Sequence, residues 1–105
     1  MKYEIWKCAL SHPNKFMWSE HAKEPIKIRD YVHVYTGETR DKMGNRRILE
    51  MLYEKFNIDH PKDYHSSSMS VSDIVCTINE ETNERTWWYV DGIGFKKLDS
   101  VEKEN

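Results

Sequence analysis

The chain has 105 residues, room for one domain and one hydrophobic core. Charged residues make up 32% and aromatic residues 12%, and the aromatic share is too high for a disordered chain. Sixteen Lys and Arg against eighteen Asp and Glu leave a formal charge of −2, which removes the long-range positive field that generic DNA or RNA binding needs.

"KYEIWKCAL", residues 2–10, reads as a strand: Tyr3, Ile5 and Ala9 share one face, and Trp6, Cys8 and Leu10 the other. Pro13 breaks it, since proline cannot donate to a ladder. "FMWSEHAKEPI" reads as a short helical turn closed before Pro25. "YVHVYTG", residues 31–37, is a second strand, with Val32 and Val34 opposite Tyr31, His33 and Tyr35. The clearest helix spans about residues 43–57, where Ile48, Leu52 and Phe56 recur every four residues and Leu49 and Met51 widen the stripe. Asp41 or Asn45 suits its start, Asn57 a left-handed C-terminal position, and Pro61 a stop. Arg46, Arg47, Glu50 and Glu54 occupy the opposite face.

"SDIVCTI" then gives a strand with Ile74, Cys76 and Ile78 on one face, and "NEETNER" a polar turn. "TWWYVD" is the next strand, with Trp87 and Tyr89 facing one way and Trp88 and Val90 the other. Asp91-Gly92 is a hairpin signal, and "IGFKKL" is the last short strand. The fold class is therefore α+β: a small antiparallel sheet of four to five strands with one main amphipathic helix packed on it. Residues 1–98 form the single domain and residues 99–105 a charged, flexible tail.

No enzyme chemistry is expected. "HSSSMSVSDIV", residues 65–75, sets His65 and Asp73 around serines, but no G-x-S-x-G elbow accompanies them. Ser70-x-x-Asp73 instead matches local capping, in which hydroxyls and carboxylates satisfy backbone N–H groups. "DHPKDYH", residues 59–65, holds metal-ligand residue types at a spacing that fits no closed cluster, and "GIGF" lacks the third glycine of a phosphate loop. Neither a metal nor a cofactor is expected. Cys8 and Cys76 read as reduced thiols of a cytoplasmic protein, with no signal-like N-terminus and no membrane span.

The aromatic run "TWWYV" raises a different question. One helix covers one sheet face, so Trp87 and Tyr89 need a second cover. Either Phe16, Met17 and Trp18 supply it, or the face is left for a partner. On the second reading Trp87, Tyr89, Lys96 and Lys97 form a contact surface with Tyr64 nearby.

Residues 31–98 resemble the YodL-like domain through "DYVHVYTGE", "LEMLYEKFNIDHPKDYHSSSMSVSDIV" and "YVDGIGFKKL"; the most specific phrase is the "FN..HP.DY..SSMSVSDIV" and "YVD.IGF" pair. "NEETNERTWW" departs from the pattern by its length and leaves the hairpin length open. The resemblance implies a small protein of phages and conjugative elements of Gram-positive bacteria, acting inside the bacterial host cell. It carries no catalytic residues across. It implies a non-enzymatic binder of a host protein, such as a defence nuclease, inhibiting in the anti-CRISPR or antirestriction manner. The alternative is a nucleic-acid-binding accessory protein of such an element, using Arg46-Arg47 or Lys96-Lys97.

Overall fold

The computed structural model describes residues 1–22, 26–39, 45–58, 62–64, 66, 68–98 and 101, without the side chains at positions 45 and 46. Five strands, β1 (Lys2–Cys8), β2 (Tyr31–Glu38), β3 (Ile74–Ile78), β4 (Arg85–Val90) and β5 (Phe95–Lys97), form one sheet in the order β2-β1-β3-β4-β5. Every pairing is antiparallel. Among the described residues one α-helix, α1 (Asn45–Ile58), packs across one face. This is the expected α+β class. The helix continues through Asn57, which is helical rather than left-handed. The proposed cap Asp41 and stop Pro61 lie outside the described residues.

Side-chain alternation explains the layers. From β1, Tyr3 and Ile5 meet Ile48, Leu49, Leu52 and Phe56 of α1, joined by Val75 of β3 and Val90 of β4. Tyr3, Tyr35, Phe56 and Tyr64 interlock within this layer, with Phe56 and Tyr64 rings 4.8 Å apart, edge to face. Burial, with the neighbouring Tyr35 and Asp63, pushes the Tyr3 hydroxyl up to about 12. A Cβ at Gly37 would run into the Tyr3 ring, so only glycine fits opposite it on β2.

Two strand expectations needed correction. β1 ends at Cys8, because a turn begins at Ala9, whose carbonyl accepts from His12 N (2.9 Å). Leu10 therefore lies beyond the strand, 84% exposed, instead of sharing a strand face with Trp6 and Cys8. On β2 a bulge intervenes: Ile5 pairs with Tyr35 and Trp6 with His33, which leaves Val34 as the extra residue. The extra residue reverses the alternation. Tyr35 therefore joins the helix-side layer, whereas Tyr31 and His33 stay on the other face, His33 against Trp6 at 5.1 Å.

That other face is filled by the chain itself. The connection between β1 and β2 carries Ile26 and Ile28 over Ile74, Cys76, Ile78, Trp87 and Tyr89, with Cys8 and Tyr31 completing the layer. Ala22, Leu98 and Val101 pack at its border. Apart from Val101, the tail expected over residues 99–105 lies outside the described residues. Cys8 and Cys76 are buried in this layer, and no disulfide joins them. Within the connection, residues Ser19–His21 and Ile28–Asp30 form single 3-10 turns.

Both later hairpins differ from tight turns. Residues 79–84 form a longer loop between β3 and β4, built on Asn79, whose side-chain oxygen accepts from Glu81 N and Thr82 N, with Asn83 left-handed. Between β4 and β5 the left-handed residue is Gly94 (φ 68°), not the Asp91-Gly92 pair. Gly92 has another role: it lies under the Trp18 ring, which a Cβ there would displace.

Candidate interaction surface

The serine stretch forms a buried corner. Asp73, fully buried, uses both carboxylate oxygens. Oδ2 accepts from Lys7 Nζ (2.6 Å), Ser70 N (2.8 Å) and Ser70 Oγ (3.2 Å). Oδ1 accepts from Cys8 N (2.9 Å) and lies 3.8 Å from Lys15 Nζ. Ser72, left-handed at φ 85°, takes Phe16 N on its hydroxyl at 2.9 Å. The hydroxyls and Asp73 thus satisfy backbone donors, as the capping pattern predicts. Their geometry ties β1, the connection and the start of β3 together. Of the residues weighed for serine chemistry, His65 lies outside the described residues and Asp73 is held in this corner.

The metal-ligand candidates Asp59, His60 and His65 also lie outside them. Asp63 instead takes the Tyr35 hydroxyl at 3.1 Å. Among the described residues no group of three His, Cys, Asp or Glu gathers as a metal site requires. No helix among them is long and apolar enough to cross a membrane.

The five residues expected at a contact surface separate. Tyr64, Trp87 and Tyr89 are interior, at 6%, 8% and 0% exposure. The physical reason is the cover of the second sheet face by Ile26 and Ile28, together with the packing of Tyr64 on Phe56. Lys96 and Lys97 are exposed. As neighbours on β5 they point to opposite faces: Lys96 lies opposite Tyr89, and Lys97 opposite Trp88. They cannot form one basic stripe.

Exposed apolar side chains gather instead where the connection meets the β4–β5 loop. Phe16, Trp18 and Ile93 are 61%, 48% and 86% exposed, and Met17 lies between the two aromatics. The expectation that residues 16–18 cover Trp87 and Tyr89 is met only by backbone: Met17 carbonyl accepts from the Tyr89 hydroxyl at 2.7 Å. That bond anchors the segment and leaves its side chains outside. Phe16 is held left-handed (φ 64°), a conformation that costs a bulky residue about 1–3 kcal/mol and persists because its surroundings impose it. Ser72 Oγ grips its N–H, and Lys15 Nζ sits 4.8 Å over its ring while donating to Cys8 O at 3.0 Å.

Trp18 lies against Gly92, and with Ser19, Glu20, Asp91 and Ile93 it lines a hollow of about 180 Å³. Asp91 fastens the two segments. Its carboxylate accepts from Ser19 N (3.0 Å), Ser19 Oγ and Gly92 N (2.9 Å). The sequence reading put Ile93 in the last strand, but β5 begins at Phe95 and Ile93 stands in the turn, an isolated apolar residue between two glycines.

The family model described as the YodL-like domain matches residues 3–100. The chain belongs to the YodL-like domain family. Comparison with curated proteins and with solved structures finds no match. The match takes in the connection, the serine corner and the β4–β5 loop, so the exposed tip lies inside the YodL-like domain.

The Asp91 clasp of this YodL-like domain gives a pH prediction. Partial burial pushes the Asp91 carboxyl up, but the hydrogen bonds from Ser19 and Gly92, helped by Lys96, outweigh it and hold it below its ordinary value. The unfolded chain then takes up the proton first. Stability from the clasp is full above the ordinary value of 3.8 and is lost as pH falls through the lower folded value. Melting followed from about pH 6 to about pH 3 should therefore fall more steeply for the wild type than for Asp91→Asn. Parallel curves would show that the clasp adds nothing.

Proposed function

We propose that this YodL-like domain is a protein-binding module without a catalytic role, which docks on a host protein through Phe16, Met17, Trp18 and Ile93. The observation that carries the reading is the exposed tip. Both sheet faces are filled from within, yet these apolar side chains stand in solvent on a backbone fixed by Ser72, Tyr89 and Asp91. Rigid, exposed aromatic anchors are what protein interfaces use at their centres. The setting that the YodL-like family implies, a phage or conjugative element inside a Gram-positive host, supports a more specific role. In that role the module inhibits a host defence system, of anti-CRISPR or antirestriction type, by occupying the surface of its nuclease.

The test is affinity capture from a nuclease-treated lysate of a Gram-positive host, with mass spectrometry of what is retained. The wild-type chain should hold one specific protein. The double variant Trp18→Ala/Ile93→Ser should hold at least about tenfold less of it, which is ~1.4 kcal/mol, while remaining fully folded at the assay temperature. Equal capture by the variant, or no specific protein held by the wild-type chain, would contradict the reading.

A further inference from the structure

Resting on that reading, we propose that the groove between α1 and the β4–β5 loop is a socket for a cationic side chain, an arginine or lysine, presented by the docked protein. The groove holds about 360 Å³ and is lined by Glu50, Tyr53, Asp91, Gly92, Gly94 and Phe95. That volume falls within the ~300–1,000 Å³ typical of ligand pockets. Asp91 also lines the hollow beside Trp18, so the socket adjoins the apolar tip and one partner can engage both.

Two features select a cation, and a third gives it access. First, the walls are aromatic. Tyr53 and Phe95 stand edge to face, 6.3 Å apart at 86°, and Tyr53 is 41% exposed. Aromatic surfaces in this setting attract guanidinium and ammonium groups. A narrower hollow of about 80 Å³ continues the groove past Leu49, Trp88 and Phe95, an apolar track for the methylene stem of the incoming side chain.

Second, the charge lining the groove is acidic. Glu50 is exposed on α1 and has no ion pair among the described residues. Asp91 stays ionised well into the acid range, with Lys96 beside it as the cation that partly offsets its charge. Among the described residues no lysine or arginine lines either groove. Third, the mouth is open: a Cβ at Gly94 would meet nothing within 4 Å.

The experiment uses the whole chain, isotope-labelled, titrated with the capped tripeptide acetyl-Gly-Arg-Gly-amide and with its neutral citrulline analogue. The arginine peptide should shift the amides of Glu50 and Gly94 and the ring of Tyr53, and weaken with added salt. Citrulline should bind about tenfold more weakly, and Glu50→Gln should weaken the arginine peptide by about the same factor. Equal binding of the two peptides, no effect of Glu50→Gln, or no shift at Gly94 at any soluble concentration would each overturn the socket. The outcome is separable from that of the capture experiment. Capture that depends on Trp18 and Ile93 but ignores Glu50→Gln sinks the socket alone. Peptide binding without specific capture sinks the protein-binding reading instead.

Discussion

Replacing Asp73 by alanine is expected to destabilise the domain by about 3–5 kcal/mol, the cost of removing one partner of a buried ion pair. Lys7, itself only 8% exposed, would lose its carboxylate and keep one described acceptor, the Ser68 carbonyl at 2.8 Å. Cys8 N and Ser70 N would lose their acceptor in the same step. Lys15 would lose the negative charge 3.8 Å away. A small domain has only about 5–15 kcal/mol in total, so the variant should be largely or wholly unfolded in moderate urea. The double variant Lys7→Met/Asp73→Leu should recover part of the loss, because an apolar pair carries no desolvation cost. Urea titration of the three proteins measures this. An Asp73→Ala variant within about 1 kcal/mol of the wild type would show that the corner is not the junction described here.

The second large effect separates the tryptophans. Trp87 packs between Trp6, at 6.1 Å, and the Ile26–Ile28 cover, and is 8% exposed. Trp87→Ala should cost about 3–5 kcal/mol, as other buried aromatic truncations do. Trp18 is 48% exposed and rests on a glycine, so Trp18→Ala should cost less than about 1 kcal/mol. Chemical denaturation of both variants checks the pair. A mild Trp87→Ala would mean that the second sheet face is open after all, and the contact surface would return to Trp87 and Tyr89.

Much of the fold was legible because burial repeats with the period of the element. The four-residue stripe of Ile48, Leu52 and Phe56 marked α1, and alternation placed Trp87 and Tyr89 on one face and Trp88 and Val90 on the other. The bulge at Val34 was not legible, since "YVHVYTG" reads as an uninterrupted strand and the extra residue shows only against the register of β1. The cover of the second face was hidden for a similar reason. Ile26 and Ile28 sit in a polar, irregular segment with no period to announce them, so Trp87 and Tyr89 looked like candidates for a partner. The exposed tip followed from the same error in reverse. Phe16 and Trp18 read as cover, and only the left-handed Phe16 backbone and the Tyr89 bond to Met17 carbonyl turn their side chains outward. The serine corner was legible in role, because hydroxyls and a carboxylate at short spacing have few other uses. Its long-range partners Lys7 and Lys15 were not, being 66 residues and more than 50 residues away in sequence.

On the proposed function Trp18 and Ile93 meet the partner, whereas Trp87 is packed in the core. Hydroxyl-radical footprinting, read by mass spectrometry on the free chain and on its complex with the captured protein, tests that placement most directly. Trp18 should be oxidised readily in the free chain and protected in the complex, while Trp87 stays protected in both. Trp87 as reactive as Trp18 in the free chain, or Trp18 equally reactive with the partner bound, would contradict it.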